Sequence, residues 1–429
     1  MIPFCTVQNL TSSETPDCLA TQACIRRSLT IYRRKPESLL RILWEVSTFF
    51  MRIAITHPTA WPWVRRGSER LLNDLSVFLA SRGHEVTVVT SSPDGPGEEC
   101  SGGIRRILVP QRLGQLKNVR QINGFHAFAF DCARAVRDGG FDAVHCLGYH
   151  EAWGILRQYG GRPRPRLVYQ MTGIAVARYF RAVPLDRMMF DRVLRQADEV
   201  ICLSRFARDS MTRDFGRDSI LIPSPTDTAP FLACPRTMPD RPRILFCGDA
   251  DEPRKGALVL ARAFAQLDRP DVELHLSGRC SDETERRIRA CLPMDMQDRV
   301  IFHGLGKVED LPALYGSAAV AVNPAVWEAL GNVLIEALAA GTPVVGCDHG
   351  GIPDIIDSDR VGALFAPRLQ DGAATDAKAL CVALAHGLDL ARRPETATAC
   401  RARSAAFSWQ HLGTQYEAAL MGDRAEVAA

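Results

Sequence analysis

At 429 residues the chain has room for two or three domains of ordinary size. Apolar residues at 46% and charged residues at 24% exclude collagen-like, coiled-coil and wholly disordered readings. Lys plus Arg (52) nearly balances Asp plus Glu (49), and the formal charge of +3 gives no electrostatic reason to expect nucleic acid as a partner.

Residues 1–50 are Ser/Thr- and Arg-rich and lack the long apolar stretch of a signal peptide, so they read as a disordered extension or a misassigned start. The most apolar stretch, 39–55, carries Arg41, Glu45 and Arg52, which rules against a membrane span. From Met51 onward the pattern is regular. A strand is predicted over 53–56, a helix over 67–81 with Leu71, Leu75 and Phe78 on one face, then Gly83 as its C-terminal stop and a strand over 85–90. Strand, helix and parallel strand in that order make a βαβ unit. Further strands are predicted over 104–109, 143–146, 167–170, 200–203 and 220–222, with helices over 118–138 and 183–196. A Pro-rich boundary follows Pro223 and runs to Pro242.

The same syntax then restarts: strand 243–247, helix 256–266, strand 272–277, and strands at 300–302, 320–323 and 343–347 with helices 310–316 and 332–340 between them. The expected architecture is α/β, with two doubly wound Rossmann-like domains facing a central cleft. Their limits are 51–228 and 229–405, followed by a crossover helix over 406–422 and a frayed tail at 423–429. The fourteen cysteines are scattered with no Cys-x-x-Cys pair, and several sit in apolar runs, which points to a reducing cytoplasm rather than a disulfide scaffold.

The most informative segment is 323–341, NPAVWEALGNVLIEALAAG. A strand ends at Asn323-Pro324, a loop carries Glu328, and a helix opens near Gly331 and Asn332 with Glu336 in its first turns. The first amides of a helix have no intrahelical acceptor and carry partial positive charge, so a diphosphate can rest there without a metal. Carboxylates repel phosphate but accept hydrogen bonds from sugar hydroxyls. A second segment, 248–256 (GDADEPRKG), lies between a strand and a helix on the same side, and its Lys255 is suited to a departing diphosphate.

The first segment resembles the E-x7-E stretch of retaining nucleotide-sugar glycosyltransferases with the GT-B fold, specifically glycosyltransferase family 4. The likeness continues through Gly341–Val345 and Gly350-Gly351-Ile352-Pro353 and spans about 51–421. It implies that Glu328 contacts the donor sugar, Glu336 the ribose, and the backbone at Gly331, Asn332 and Val333 the diphosphate. The second segment is most similar to phosphatidylinositol mannosyltransferase-like members, in which Arg normally follows the first Gly. Here that position is Asp249, and Arg254 is a substitute cation. Asp249-Ala250-Asp251 also spells D-x-D, a metal motif of another fold, but its place beside Lys255 argues against a metal.

A third segment, 65–70 (RRGSER), stands at the first strand–helix junction, where the family usually has Gly-Gly. Gly67 allows close approach, Ser68 is expected to cap the helix, and Arg66 suits an acidic acceptor such as a phosphorylated alcohol or lipid headgroup. Met171 stands where related enzymes often carry His, while His57 and His145 lie at strand ends.

The resemblance implies a retaining hexosyltransferase, with Glu328 and Lys255 catalytic, no cofactor and no required metal. The donor is a nucleotide-diphosphate sugar and the acceptor a small or lipid-linked hydroxyl compound, with peripheral contact to an anionic membrane left open. Asp249, Arg66 and Met171 keep a second reading in view, a nucleotide-sugar-binding protein impaired in transfer. A third is an epimerase acting on donor alone. A nicotinamide dehydrogenase fits poorly, because neither half has G-x-G-x-x-G after its first strand.

Overall fold

The computed structural model describes residues 50–64, 66–112, 122–370 and 373–422. The extension expected over 1–50, apart from Phe50, and the tail 423–429 lie outside the described residues.

The first sheet is built from β1 (Arg52–Thr56), β2 (Glu85–Ser92), β3 (Gly97–Ser101), β4 (Ile104–Pro110), β5 (Ala143–Cys146), β6 (Arg166–Met171), β7 (Glu199–Cys202) and β8 (Ile220–Leu221). Its strand order is β3-β4-β2-β1-β5-β6-β7-β8, parallel throughout except for β3. Ile53, Ala54 and Ile55 of β1 are fully buried, as expected of a parallel strand covered on both faces. The covering helices are α1 (Gly67–Ser81), α2 (Gly124–Gly139), α3 (Tyr149–Tyr159), α4 (Pro184–Gln196) and α5 (Arg205–Phe215).

β3 was not expected. It is exposed over all five residues, so it has no apolar period to reveal it. Its Glu98 and Glu99 instead pair with Arg105 and Arg106 across the antiparallel ladder, at 2.8 and 3.3 Å. These charges also guard the sheet edge against further pairing. The helix predicted over 118–138 begins later, at Gly124, because Asn123 caps it by accepting from the Phe125 amide at 3.0 Å. Most of 118–123 lies outside the described residues.

The Pro-rich boundary contains one short helix, α6 (Ala229–Ala233), whose Phe231 is buried in the second core. The second sheet comprises β9 (Arg243–Cys247), β10 (Glu273–Ser277), β11 (Val300–Gly304), β12 (Val320–Asn323), β13 (Val344–Cys347) and β14 (Gly362–Phe365), all parallel, in the order β11-β10-β9-β12-β13-β14. The helices here are α7 (Ala257–Ala265), α8 (Asp282–Ala290), α9 (Leu311–Gly316), α10 (Asn332–Ala339), α11 (Ala377–Leu390) and α12 (Thr396–Ser404). Both sheets reverse direction of winding beside their first strand, between β1 and β5 and between β9 and β12. Ligands of such sheets bind outside the strand C-termini at that switch point.

The last helix, α13 (Trp409–Met421), returns to the first domain. Tyr416 is fully buried there and accepts from Gln170 Nε2 at 3.0 Å, while Glu417 meets Arg82 at 3.1 Å and His84 at 3.0 Å. Gly413 is required at the crossing, since a Cβ there would lie 2.4 Å from the Phe78 ring.

Burial pushes the Glu151 carboxyl, in the first turn of α3, up to about 8. Between the ordinary carboxylate range and about 8 the native state therefore holds a proton that the unfolded chain has lost. Stability contributed by this group falls as pH rises through that window. His145, buried beside Gln170 and depressed to about 4, works in the opposite sense below its ordinary value of 6.5. The Glu151 effect therefore stands clear between about pH 6.5 and 8. Chemical unfolding of Glu151→Gln across that range is expected to give a flatter stability profile than the parent. Parallel profiles would refute the assignment.

Candidate active site

Two loops leave the second sheet at its switch point, 248–256 after β9 and 324–331 after β12. They are fastened to each other by the Val326 amide, which donates to the Arg254 carbonyl at 2.9 Å. Gly256 permits this closeness: it takes φ +79, and a Cβ on it would sit 2.9 Å from the Pro324 carbonyl oxygen. The result is that Lys255 Nζ lies 2.6 Å from Glu328 Oε2, with Arg254 at 3.3 Å from the same oxygen. Both Lys255 and Glu328 are about one-fifth exposed, so the pair is partly shielded without being sealed off.

Glu328 is held from behind as well. Trp327 adopts φ +58, an uncommon conformation for a bulky residue, and its amide donates to His349 Nδ1 at 3.2 Å. The Gly351 amide donates to the Glu328 carbonyl at 2.8 Å. Cβ atoms at Gly350 and Gly351 would fall 2.4 Å from the Glu328 oxygen and 2.2 Å from the Ala329 oxygen. The Gly-Gly pair is thus a matter of backbone contact with the acidic loop.

Beyond the loop, Gly331 is the N-cap of α10 at φ +108 and supplies no side-chain cap. Asn332 and Val333 are half-buried at the helix start, so the amides there are not covered by a capping side chain.

Glu336 stands in the first turns of its helix, as expected, and meets a partner that the sequence did not suggest. It lies in α10 and is buried, and its carboxylate is ion-paired with Arg70 of α1, from the other domain. Burial raises its pKa, with Arg70 and Tyr315 opposing that shift. In this structure the acid expected at a ribose faces a guanidinium. Arg66 is exposed, and the first-domain cation that reaches α10 is Arg70, one turn further along the same helix. Arg70 belongs to the RRGSER segment but had no role assigned to it from the sequence. Its position on the helix face is what brings it to the other domain.

Ser68 does not cap α1. The N-cap is Arg66, and Ser68 sits within the first turn, where its hydroxyl donates to Glu69 at 3.1 Å. Gly67 opens the helix and is exposed. Asp249 is not a bare anion. Arg279, which follows β10, binds its carboxylate, one contact being 3.0 Å from Nε. Asp251 accepts from the Ser281 amide at 2.9 Å and its hydroxyl at 2.7 Å, so both acids of the D-x-D tie loops together. His57 is occupied by Thr59, whose carbonyl lies 2.7 Å from Nδ1, and Met171 accepts from the Tyr169 hydroxyl at 3.1 Å.

Further contacts close the domains around this loop. Arg205 of α5 pairs with Asp354 at 2.8 Å, Arg178 lies 5.0 Å over the Trp327 ring, and Phe206 packs on Trp327 and His349. None of these could be paired from sequence, since their partners belong to distant segments.

Comparison with known proteins agrees with this geometry. Residues 65–230 match the family model described as Glycosyltransferase Family 4, and residues 241–385 match that of Glycosyl transferases group 1. A phosphatidyl-myo-inositol mannosyltransferase of Mycolicibacterium smegmatis is 30% identical over 343 residues, covering 76% of this chain and 83% of the relative. The chain belongs to glycosyltransferase family 4. Another relative, the MMP alpha-(1->4)-mannosyltransferase of Mycolicibacterium hassiacum, is 30% identical over 406 residues, or 83% of this glycosyltransferase and 94% of that one. Among solved structures, sucrose-phosphate synthase from Thermosynechococcus elongatus superposes with a TM-score of 0.68 at 24% identity, over 85% of this chain and 97% of its own. That likeness establishes the GT-B fold: two parallel-sheet Rossmann-like domains.

Proposed function

We propose that this glycosyltransferase moves a hexose, with retention of anomeric configuration, from a nucleotide-diphosphate sugar to a hydroxyl acceptor. The observation that carries the reading is the Lys255–Glu328 pair at 2.6 Å beside the uncapped start of α10. The diphosphate rests on the amides of Gly331, Asn332 and Val333, with Lys255 and Arg254 neutralising charge as the sugar leaves. Glu328 accepts from hydroxyls of the donor sugar. Glu336 accepts from the ribose once Arg70 yields or shares its carboxylate.

In the transfer step the bond from the anomeric carbon to the β-phosphate oxygen breaks, and the acceptor oxygen bonds to that carbon on the same face. The acceptor proton passes to the departing phosphate oxygen. No metal ion is required for this step. Glu69, buried near the first-domain entrance, binds Thr59 and Ser68 with its two oxygens and is not available as a sugar nucleophile. Interdomain closure keeps water from competing with the acceptor.

Both relatives above are mannosyltransferases, and a third from Mycolicibacterium smegmatis, 29% identical over 265 residues, is described as GDP-mannose-dependent, which makes GDP-mannose the first donor to try. Arg66, exposed at the start of α1, suits a phosphorylated or lipid-linked acceptor. Peripheral contact with an anionic surface at the cytoplasmic face follows for a lipid-linked acceptor. Among the described residues no helix is long and apolar enough to cross a membrane. The substitution Asp249 for Arg favours one other reading, a donor-binding protein impaired in transfer.

Thermal-shift titration against a panel of nucleotide-diphosphate sugars is expected to single out one donor, because native-state binding raises apparent stability by RT ln(1 + [L]/Kd). NMR of the product is then expected to show the donor's anomeric configuration. An inverted product would overturn retention. Binding without transfer to any acceptor would favour the impaired reading, and conversion of donor alone would favour an epimerase.

A further inference from the structure

Three helices of the first domain begin on the edge of the sheet where the strands end, and each presents one polar side chain from its first turn. His126 comes from α2, His150 from α3 and Asp186 from α4. All three are buried, at 3%, 8% and 7% exposure. Asp186 Oδ1 lies 3.1 Å from His126 Nε2 and 3.6 Å from His150 Nε2, and the three potential ligand atoms all fall within 4.8 Å of one another. None of these three atoms has a hydrogen-bond partner of acceptable geometry.

A single unpartnered buried polar atom costs about 1–3 kcal/mol. Three that converge on one point, from three separate helices, call for a common ligand. The surrounding groups fit that view. His126 Nδ1 meets the carboxamide oxygen of Asn123 at 3.0 Å and the Asn123 amide at 3.3 Å; the tautomer with its proton on Nδ1, toward the carboxamide, is the one that leaves the Nε2 lone pair facing the cluster. The Tyr149 hydroxyl donates to the other Asp186 oxygen at 3.1 Å. The imidazoles are pinned by their neighbours: Tyr149 stacks on His150 at 4.1 Å, Phe125 at 5.5 Å, and the two His rings meet edge to face at 4.8 Å.

We propose that His126 Nε2, His150 Nε2 and Asp186 Oδ1 bind one divalent cation of the zinc class, which ties together the starts of α2, α3 and α4. Two imidazoles and one carboxylate are a zinc-type donor set, whereas magnesium and calcium take oxygen ligands. In a tetrahedral shell with bonds of about 2.0–2.2 Å, neighbouring donors stand about 3.3–3.6 Å apart, close to the spacings of 3.1 and 3.6 Å to Asp186. A water completes the shell. The site belongs to the first domain and uses none of the groups assigned to sugar transfer, so it stands or falls independently of that assignment.

The test uses the full chain, stripped with a chelator and dialysed against zinc or cobalt(II). One equivalent per chain is expected by elemental analysis, with a rise in thermal midpoint on zinc addition. The cobalt form should show visible d–d absorption without thiolate charge transfer, which separates this site from the fourteen cysteines. His150→Gln and Asp186→Asn are each expected to lose that equivalent while keeping the parent circular dichroism. X-ray absorption on the unmutated zinc form, expected to show only nitrogen and oxygen neighbours with imidazole scattering, tests the ligand set even if the variants fail to fold. No retained metal, a thiolate spectrum, or undiminished binding in both variants would overturn the proposal and leave the cluster a plain His–Asp–His contact.

Discussion

Lys255→Ala is expected to lower kcat for glycosyl transfer by about 10²–10³-fold, the usual cost of deleting one preorganised group that meets developing charge. The side chain is fixed in place before any donor binds. Gly256 turns the chain at φ +79 against Pro324, and Glu328 holds the ammonium at 2.6 Å. A donor diphosphate gains charge as its bond to the sugar breaks, so the lysine contributes more to the transition state than to the bound donor. The loss should therefore fall on kcat more than on KM. Lys255→Arg should recover part of it by restoring the charge. Arg254→Ala is expected to cost less, because its guanidinium is more exposed and is shared with Glu252. Steady-state kinetics with the donor found by thermal shift would check all three. A Lys255→Ala rate within a few-fold of the parent would remove this lysine from the chemistry.

Arg70→Ala is expected to destabilise the protein by about 3 kcal/mol, the lower end of the cost of stranding a buried ion-pair partner. Its partner Glu336 is 5% exposed in the second domain, and burial raises its pKa even with the guanidinium present. Without Arg70 the carboxyl should be pushed higher and remain protonated over a wider range. A native pKa above the unfolded one makes stability greatest at low pH, with loss as pH rises toward the native value. The variant should accordingly lie nearest the parent in acid and furthest from it in alkali. Adding Glu336→Gln should relieve part of the penalty, since a neutral amide needs no counter-charge. The two changes are expected to be non-additive by about 1 kcal/mol or more. Denaturant unfolding of the four proteins at two pH values measures this, and strict additivity would show that the pair does not couple the domains.

The different visibility of these two ion pairs in the sequence has a physical cause. The order of strands and helices was legible because buried parallel strands are apolar runs and their covering helices repeat at 3.6 residues. The helix predicted over 67–81 has those limits in the structure. The start of α10 at Asn332 was legible because Gly331 interrupts the pattern just before the apolar face begins. β3 escaped because an exposed, charged edge strand carries no period, and Ser68 misled because a good capping residue type stood two places inside the helix.

By itself, then, the chain's pattern determined two Rossmann-like halves, the loops that leave their switch points, and the acids and lysine those loops carry. These follow from short-range rules: periodicity, turn chemistry and capping act over a few residues. Only the tertiary structure decided which charge meets which. Arg70 and Glu336 are 266 positions apart, the Gly350-Gly351 turn matters because it touches the backbone of Glu328, and His126, His150 and Asp186 converge only when three helices start on one sheet edge. Such pairings depend on how separate elements pack in space, and no local pattern along a chain encodes that distance.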